Sequence, residues 1–242
     1  MFTKKTVAVV GGGSGIGKAT AIAAAAAGAE VIVSSRSKDK LDATVAEMGS
    51  GKAQPVDMTD PASLRKWANA LPELDHLVIS ASSAAHGPFA ELDLEPLRAM
   101  FDAKFFGPYQ TAKAALPKLR TGGSIIFFSG VLSRRPGMNC SGLGAVNGAV
   151  EALAKGLALE LGPRLRVNCL SPGMVRSDAY SKMDDDRREA MYNSTGDSLP
   201  AGRVGEVGEI AEAALFLMAN EYTTGIVLDV DGGHMIRQYA TR

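Results

Sequence analysis

The chain has 242 residues, of which 46% are hydrophobic and 21% are charged, a balance that suits a packed core and excludes a disordered chain. Its 26 basic residues equal its 26 acidic residues, so no net charge would draw it to nucleic acid or to an anionic membrane. The two cysteines, Cys140 and Cys169, lie far apart, so we predict neither a disulfide scaffold nor a metal site.

Apolar runs alternate with helical patterns along the whole sequence. Strands are predicted at residues 6–10, 30–34, 53–56, 76–80, 124–128, 165–170 and 226–230. Helices are predicted from residue 15 to about residue 27 and at 38–48, 96–116, 145–161 and 206–219. Because these strands lack polar alternation and their connections are of helix length, they are typical of a buried parallel sheet. We therefore predict a single α/β domain over residues 1–242, a Rossmann-type doubly wound sheet of about seven strands with helices on both faces.

A glycine-rich turn joins the first predicted strand to the first predicted helix. Glycines allow positive φ and a close approach of the backbone to a pyrophosphate, and the helix start adds free N–H groups. In this strand–turn–helix context, the pattern predicts a dinucleotide-binding loop. Its cofactor-binding candidates are Gly11, Gly13, Ser14, Gly15, Ile16 and Gly17.

The end of the second predicted strand indicates which dinucleotide is bound. An acidic residue there would bind the adenosine ribose hydroxyl of NAD(H), whereas a basic residue would pair with the 2′-phosphate of NADP(H). Here the chain reads Ser34-Ser35-Arg36, without an acid before Asp39. Arg36 could bind a phosphate with two hydrogen bonds, and Ser35 adds a hydroxyl, so we predict NADP(H) in preference to NAD(H). The alternative is that Arg36 is an ordinary surface arginine.

Further motifs show that the sequence resembles the short-chain dehydrogenase/reductase family over nearly its whole length. These are the glycine loop, residues 57–60, the segment RVNCLSPGMV at 166–175, GRVG at 202–205, and TG and VDGG near the C-terminus. The resemblance implies that Asp57 and Met58 lie at the adenine, that Ala81 follows the fourth strand beside the cofactor, and that Ser177 contacts the carboxamide. It places Pro172, Gly173 and Val175 along the nicotinamide. It also implies a homodimer or a homotetramer.

The resemblance fails at the catalytic residues. The family uses an Asn-Ser-Tyr-Lys set with the last two residues spaced YxxxK, and no tyrosine of this chain precedes a lysine by four residues. Alignment places Lys104 at the asparagine position, Gly130 at the serine position, Leu143 at the tyrosine position and Asn147 at the lysine position. Leu143 and Asn147 share one helix face, but leucine donates no proton. Asn147 could still bind ribose hydroxyls of the cofactor.

Other side chains are candidate proton donors. His86 follows the fourth predicted strand, where the family builds substrate contacts, but it could equally be a solvent-facing loop residue. Lys104 is an intrinsic acid, although a helix lysine more often extends to solvent. Ser129 adjoins Gly130, but successive strand side chains point to opposite faces, so we expect it to point away from the site.

Three functions are compatible with the sequence. The first is an NADP(H)-dependent oxidoreductase of a small carbonyl or alcohol substrate that uses other donors. The second is reduction of an imine, since an iminium ion is neutralised by hydride without a proton. The third is a non-catalytic NADP(H)-binding protein, a sensor or an oligomer partner. In each case we expect a cytoplasmic protein without nucleic-acid or membrane partners, because the sequence shows no secretory leader and no bilayer-spanning stretch.

Overall fold

Seven parallel strands form the central sheet of the computed structural model, which describes residues 1–80 and 83–236. The strands are β1 (Thr6–Val10), β2 (Glu30–Ser34), β3 (Lys52–Ala53), β4 (Leu74–Ile79), β5 (Leu119–Phe128), β6 (Arg166–Pro172) and β9 (Val227–Val230). Their order is β3-β2-β1-β4-β5-β6-β9, so the order reverses between β1 and β4. Two further short strands, β7 (Val175–Arg176) and β8 (Gly205–Glu206), pair with each other in a separate two-stranded sheet.

Eight α-helices connect the strands. They are α1 (Gly15–Ala26), α2 (Lys38–Met48), α3 (Pro61–Ala70), α4 (Leu94–Phe101), α5 (Gly107–Ala115), α6 (Ser141–Leu161), α7 (Asp185–Asp197) and α8 (Val207–Ala219) in the described part of the chain. A π-helical turn, Asp102–Phe106, joins α4 directly to α5. Among the described residues, no helix is long and apolar enough to cross a membrane.

Two hydrophobic cores cover the two faces of the sheet, which explains the continuous apolar runs in the sequence. In β1, Ala8 and Val10 face the core that contains Trp67 of α3, whereas Val7 and Val9 face the core that contains Ile210 of α8. Every residue of β1 is buried, as expected for a central parallel strand. The predicted fold class, a doubly wound sheet with helices on both faces, is confirmed.

Several predicted boundaries were wrong, each for a local reason. The third strand spans only two residues in the structure, although backbone hydrogen bonds from Gln54 to Val33 (2.9 Å) and from Val56 to Ser35 (3.0 Å) continue its pairing. The helix predicted at 96–116 is interrupted by the π-helical turn. Helix α3 was missed, although Asp60 caps it, whereas α7 begins at the acidic run 184–186, which indicates a helix start in the sequence, and Asp184 caps it.

Candidate active site

The glycine turn after β1 is packed so tightly that side chains are excluded at two of its positions. A Cβ on Gly11 would lie 2.1 Å from the carbonyl oxygen of Ser80, and a Cβ on Gly17 would lie 2.3 Å from the carbonyl oxygen of Gly11. Gly11 also has a φ of 87°, which favours glycine. The turn therefore brings bare backbone to the carboxyl end of the sheet, as a phosphate-binding loop requires.

The first turn of α1 already binds an anionic group. The backbone N–H of Gly15 donates to Oδ2 of Asp178 at 3.1 Å, and Ser177 lies against Gly15. Ser14 precedes the helix and its side chain makes no capping hydrogen bond. Ile16 is partly buried against the core on the α8 side of the sheet. A carboxylate oxygen at this position shows that the helix start accommodates negative charge, as its dipole predicts.

Ser35 and Lys40 lie against the same turn, beyond the end of β2. A Cβ on Gly13 would lie 3.0 Å from Oγ of Ser35 and 3.2 Å from Cβ of Lys40, so these three residues meet. Arg36 is exposed, and its charge helps to lower the pKa of Asp57. Lys40 was not among the sequence candidates, because its approach to Gly13 depends on how α2 packs after the strand.

Asp57 lies close enough to Arg36 for the arginine charge to act on its carboxylate. Oδ1 of Asp57 accepts hydrogen bonds from the Thr59 hydroxyl (2.7 Å) and the Thr59 backbone N–H (2.9 Å), which lower the pKa of Asp57. Asp57 therefore stays ionised at neutral pH. Met58 packs against the first residue of α5, Gly107.

The chain leaving β6 returns to the glycine turn. The backbone N–H of Gly173 donates to the Val230 carbonyl at 3.1 Å, and a Cβ on Gly173 would lie 2.8 Å from Cα of Asp231. Val175 is buried and pairs with Gly205, and Ser177, the residue after β7, lies against Gly15 at the start of α1. Ala81 lies outside the described residues.

Gly130 and Asn147 face each other between β5 and α6. The Asn147 amide donates from Nδ2 to the Gly130 carbonyl at 3.3 Å, and a Cβ on Gly130 would lie 3.1 Å from that nitrogen and 3.8 Å from the Pro172 carbonyl oxygen. Asn147 is only 2% exposed, and its Oδ1 has no hydrogen-bond partner among the described residues. Leu143, one turn earlier on α6, is half-buried.

The Ser129 side chain contacts α6 one turn after Asn147. Its hydroxyl donates to Oε1 of Glu151 at 2.9 Å, and the Ser133 hydroxyl donates to the same oxygen at 2.6 Å. Glu151 is also 3.5 Å from Nε of Arg134. The Ser129 side chain therefore belongs to a buried polar network.

Lys104 does not extend to solvent, so the expectation of a solvent-reaching lysine was wrong. The residue is only 8% exposed, and its Nζ donates to the Ser129 carbonyl at 3.3 Å. Burial lowers the pKa of Lys104 to about 8. It lies in the π-helical turn on the same helix side as the buried Met100, a position that could have predicted its burial from the sequence.

His86 is exposed and contacts a cysteine that is distant in sequence. Its Nδ1 lies 3.4 Å from Sγ of Cys140, the residue just before α6. The loop is fixed there by a hydrogen bond from the Gly87 N–H to the Asn139 carbonyl at 3.0 Å. Burial raises the pKa of Cys140, so its thiol stays protonated at neutral pH.

Comparison with known proteins agrees with this arrangement of a doubly wound sheet and a glycine turn at the carboxyl ends of its strands. A family model described as "Enoyl-(Acyl carrier protein) reductase" matches residues 10–235. The chain belongs to the short-chain dehydrogenase/reductase family of oxidoreductases.

Its relatives differ in their named activities. Over 236 residues it is 33% identical to carbonyl reductase family member 4 of Xenopus laevis, covering 95% of this chain and 97% of that protein. It is 35% identical to a galactitol 2-dehydrogenase of Cereibacter sphaeroides, with 95% and 94% covered. A solved small-chain dehydrogenase in complex with NADPH is 38% identical, with a TM-score of 0.84 over 95% of this chain and 97% of that one.

Proposed function

We propose that this protein is an NADP(H)-dependent oxidoreductase that transfers hydride to or from a small organic substrate without a tyrosine acid. The observation that carries the proposal is the backbone turn at Gly11 and Gly17, too tight for any side chain, which ends at a helix start that holds the Asp178 carboxylate. A pyrophosphate needs such a combination of bare backbone and free N–H groups. The solved relative that binds NADPH supports the same cofactor class.

The residues around the turn suit the phosphorylated cofactor. Arg36 and Lys40 supply positive charge and Ser35 supplies a hydroxyl where a 2′-phosphate would be bound. Asp57 and Met58 would bound the adenine. The buried, unpaired Oδ1 of Asn147 fits a ribose hydroxyl that donates to it. When bound, the cofactor would supply hydride.

The site lacks an acid at the position on α6 where the family places one. Leu143 occupies that position on α6 and excludes water without donating a proton. Phe89 and Met138, which are 90% and 89% exposed, lie in the two loops that His86 and Cys140 join. We therefore propose an apolar substrate. An imine fits best, because an iminium ion accepts hydride and becomes neutral without a proton donor, whereas a ketone would leave an alkoxide to be stabilised.

Two measurements test this function. The first titrates NADPH and NADH by the fluorescence of the reduced nicotinamide, and we expect tighter binding of NADPH. The second offers ketones, aldehydes, enones and cyclic imines together with NADPH. Turnover of imines alone would support the favoured substrate class, whereas tight NADPH binding without turnover of any compound would support a non-catalytic sensor or oligomer partner. Failure of both nucleotides to bind would refute the proposal.

A variant tests whether the site is an inherited carbonyl reductase site that has lost its acid. We expect the double substitution Leu143→Tyr and Asn147→Lys to gain carbonyl reduction, because the two positions are one turn apart on α6. A positioned acid is worth about 10²–10⁴ in rate. Leu143→Phe with Asn147→Lys is the matched control, since phenylalanine fills similar space but donates no proton.

A further inference from the structure

Lys104 is a buried cation that has no counter-charge among the residues that the structure describes. Among residues 1–80 and 83–236, no carboxylate lies within ion-pair distance of its Nζ, and its one hydrogen bond goes to the neutral Ser129 carbonyl. Burying a lysine in this way opposes folding, so such residues are retained chiefly where they serve a function. The lysine also lies in a π-helical turn, a distortion found frequently at functional sites.

The ammonium group lies next to the wall that Gly130 and Asn147 form. Lys104 donates to the carbonyl of Ser129, and Asn147 donates to the carbonyl of the next residue, Gly130. Gly130 in turn faces the Pro172 carbonyl, the start of the segment that we propose lies along the nicotinamide. The Ser129–Gly130 peptide unit, just after β5, therefore lies between the buried charge and the proposed cofactor site.

Few ionisable groups face Lys104 from the neighbouring elements. The ionisable groups facing it from neighbouring elements are the Cys169 thiol of β6 and, across Ser129, the Glu151 carboxylate of α6. Burial raises the pKa of Cys169 to about 11, so this thiol is neutral over the pH range of interest. The remaining charged residues of α4, α5, the π-helical turn and the middle of α6 are exposed, namely Glu95, Arg98, Asp102, Lys113 and Lys155.

We propose that Lys104 couples its protonation to the redox state of the bound nicotinamide cofactor, so that its ammonium form favours NADPH over NADP⁺. The oxidised nicotinamide ring carries a positive charge and the reduced ring is neutral, so a nearby buried cation repels only the oxidised form. This inference rests on the proposed function.

The coupling fixes the sign of a pH effect on binding. Burial holds the pKa of Lys104 at about 8, so the side chain is charged below this pH and neutral above it. NADPH preference should therefore be largest at lower pH and fall as the pH rises through about 8. By the same linkage, binding of NADP⁺ should release protons near pH 8, whereas binding of NADPH should not.

The experiment measures dissociation constants of NADPH and NADP⁺ by calorimetry from about pH 6.5 to about pH 9.5, with their ratio as the readout. The 2′-phosphate titrates in both nucleotides and cancels in this ratio. For the unmodified protein we expect the ratio to change about tenfold in favour of NADP⁺ across this range. Lys104→Met, which fills similar space without charge, should show a flat ratio at the high-pH value.

Lys104→Arg keeps the charge and should show a flat ratio at the low-pH value, because arginine does not titrate in this range. Thermal unfolding of each variant establishes that it is folded, and the methionine variant suffices if arginine is too large for the site. A ratio independent of pH in the unmodified protein, or unchanged in Lys104→Met, would overturn the inference while leaving the proposed function intact. Failure of the unmodified protein to bind either nucleotide would overturn both.

Discussion

Arg36 provides the sharpest test of cofactor choice, through the substitution Arg36→Asp. In the structure this arginine is exposed next to Ser35, the residue that meets Gly13 of the glycine turn, and its charge helps to lower the pKa of Asp57. Loss of its hydrogen bonds to a 2′-phosphate should cost about 1.5–3 kcal/mol. The new carboxylate would add repulsion of about 1 kcal/mol, the Coulomb energy of two charges about 4 Å apart in water.

Together these effects predict that the dissociation constant of NADPH rises about 100-fold or more, while that of NADH changes by less than about threefold. Fluorescence titration of both nucleotides at constant ionic strength measures the two changes. Lys38→Asp is the matched control, since it makes the same charge change two residues along and Nζ of Lys38 is held by Asp42 at 2.5 Å. Equal losses for the two nucleotides in Arg36→Asp, or an equal effect of the control, would refute contact with a 2′-phosphate.

Three further predictions concern stability and the glycine turn. Burial lowers the pKa of His76 to about 4, below its value of about 6.5 in the unfolded chain. The free energy of unfolding should therefore decrease by about 3 kcal/mol as the pH falls from about 6.5 to about 4, and His76→Phe should flatten this dependence in urea unfolding curves. Trp67→Ala should lower the free energy of unfolding by about 3–5 kcal/mol, because Trp67 is fully buried in the core on the α3 side of the sheet. Asp178→Asn should tighten NADPH binding a few-fold in titrations, because it removes a negative charge from the Gly15 N–H; weaker binding would contradict this reasoning.

The sheet and the glycine turn were predictable because their signals are local. A buried strand such as β1 must be apolar on both faces, and only glycine fits at Gly11 and Gly17, so the sequence itself records these constraints. Lys40 was missed because nothing local indicates that α2 brings it to Gly13. The pairing of His86 with Cys140 joins residues 54 positions apart and likewise depends on tertiary packing.

Lys104 illustrates a different kind of error. The residue type suggested solvent exposure, whereas the position suggested burial, because Lys104 follows Met100 by four residues on the side that packs against the sheet and α6. The position of Lys104 on the helix decided its burial, because a rotation that exposed Lys104 would also expose Met100 and bury the exposed residues of the opposite side. The sequence could have predicted where the lysine lies, but its hydrogen bond to the Ser129 carbonyl depends on how the end of β5 meets the π-helical turn.

Two of the four residues that the resemblance aligns with the family's catalytic positions are related to each other. The resemblance assigns one lysine and one asparagine to this set, and the chain retains one of each with their positions exchanged, as Lys104 and Asn147. The exchange keeps one cation near the end of β5 but moves it off α6, where the smaller amide now fits against the backbone of Gly130. The chain has therefore kept one positive side chain near the end of β5, while a leucine stands where the resemblance places the tyrosine.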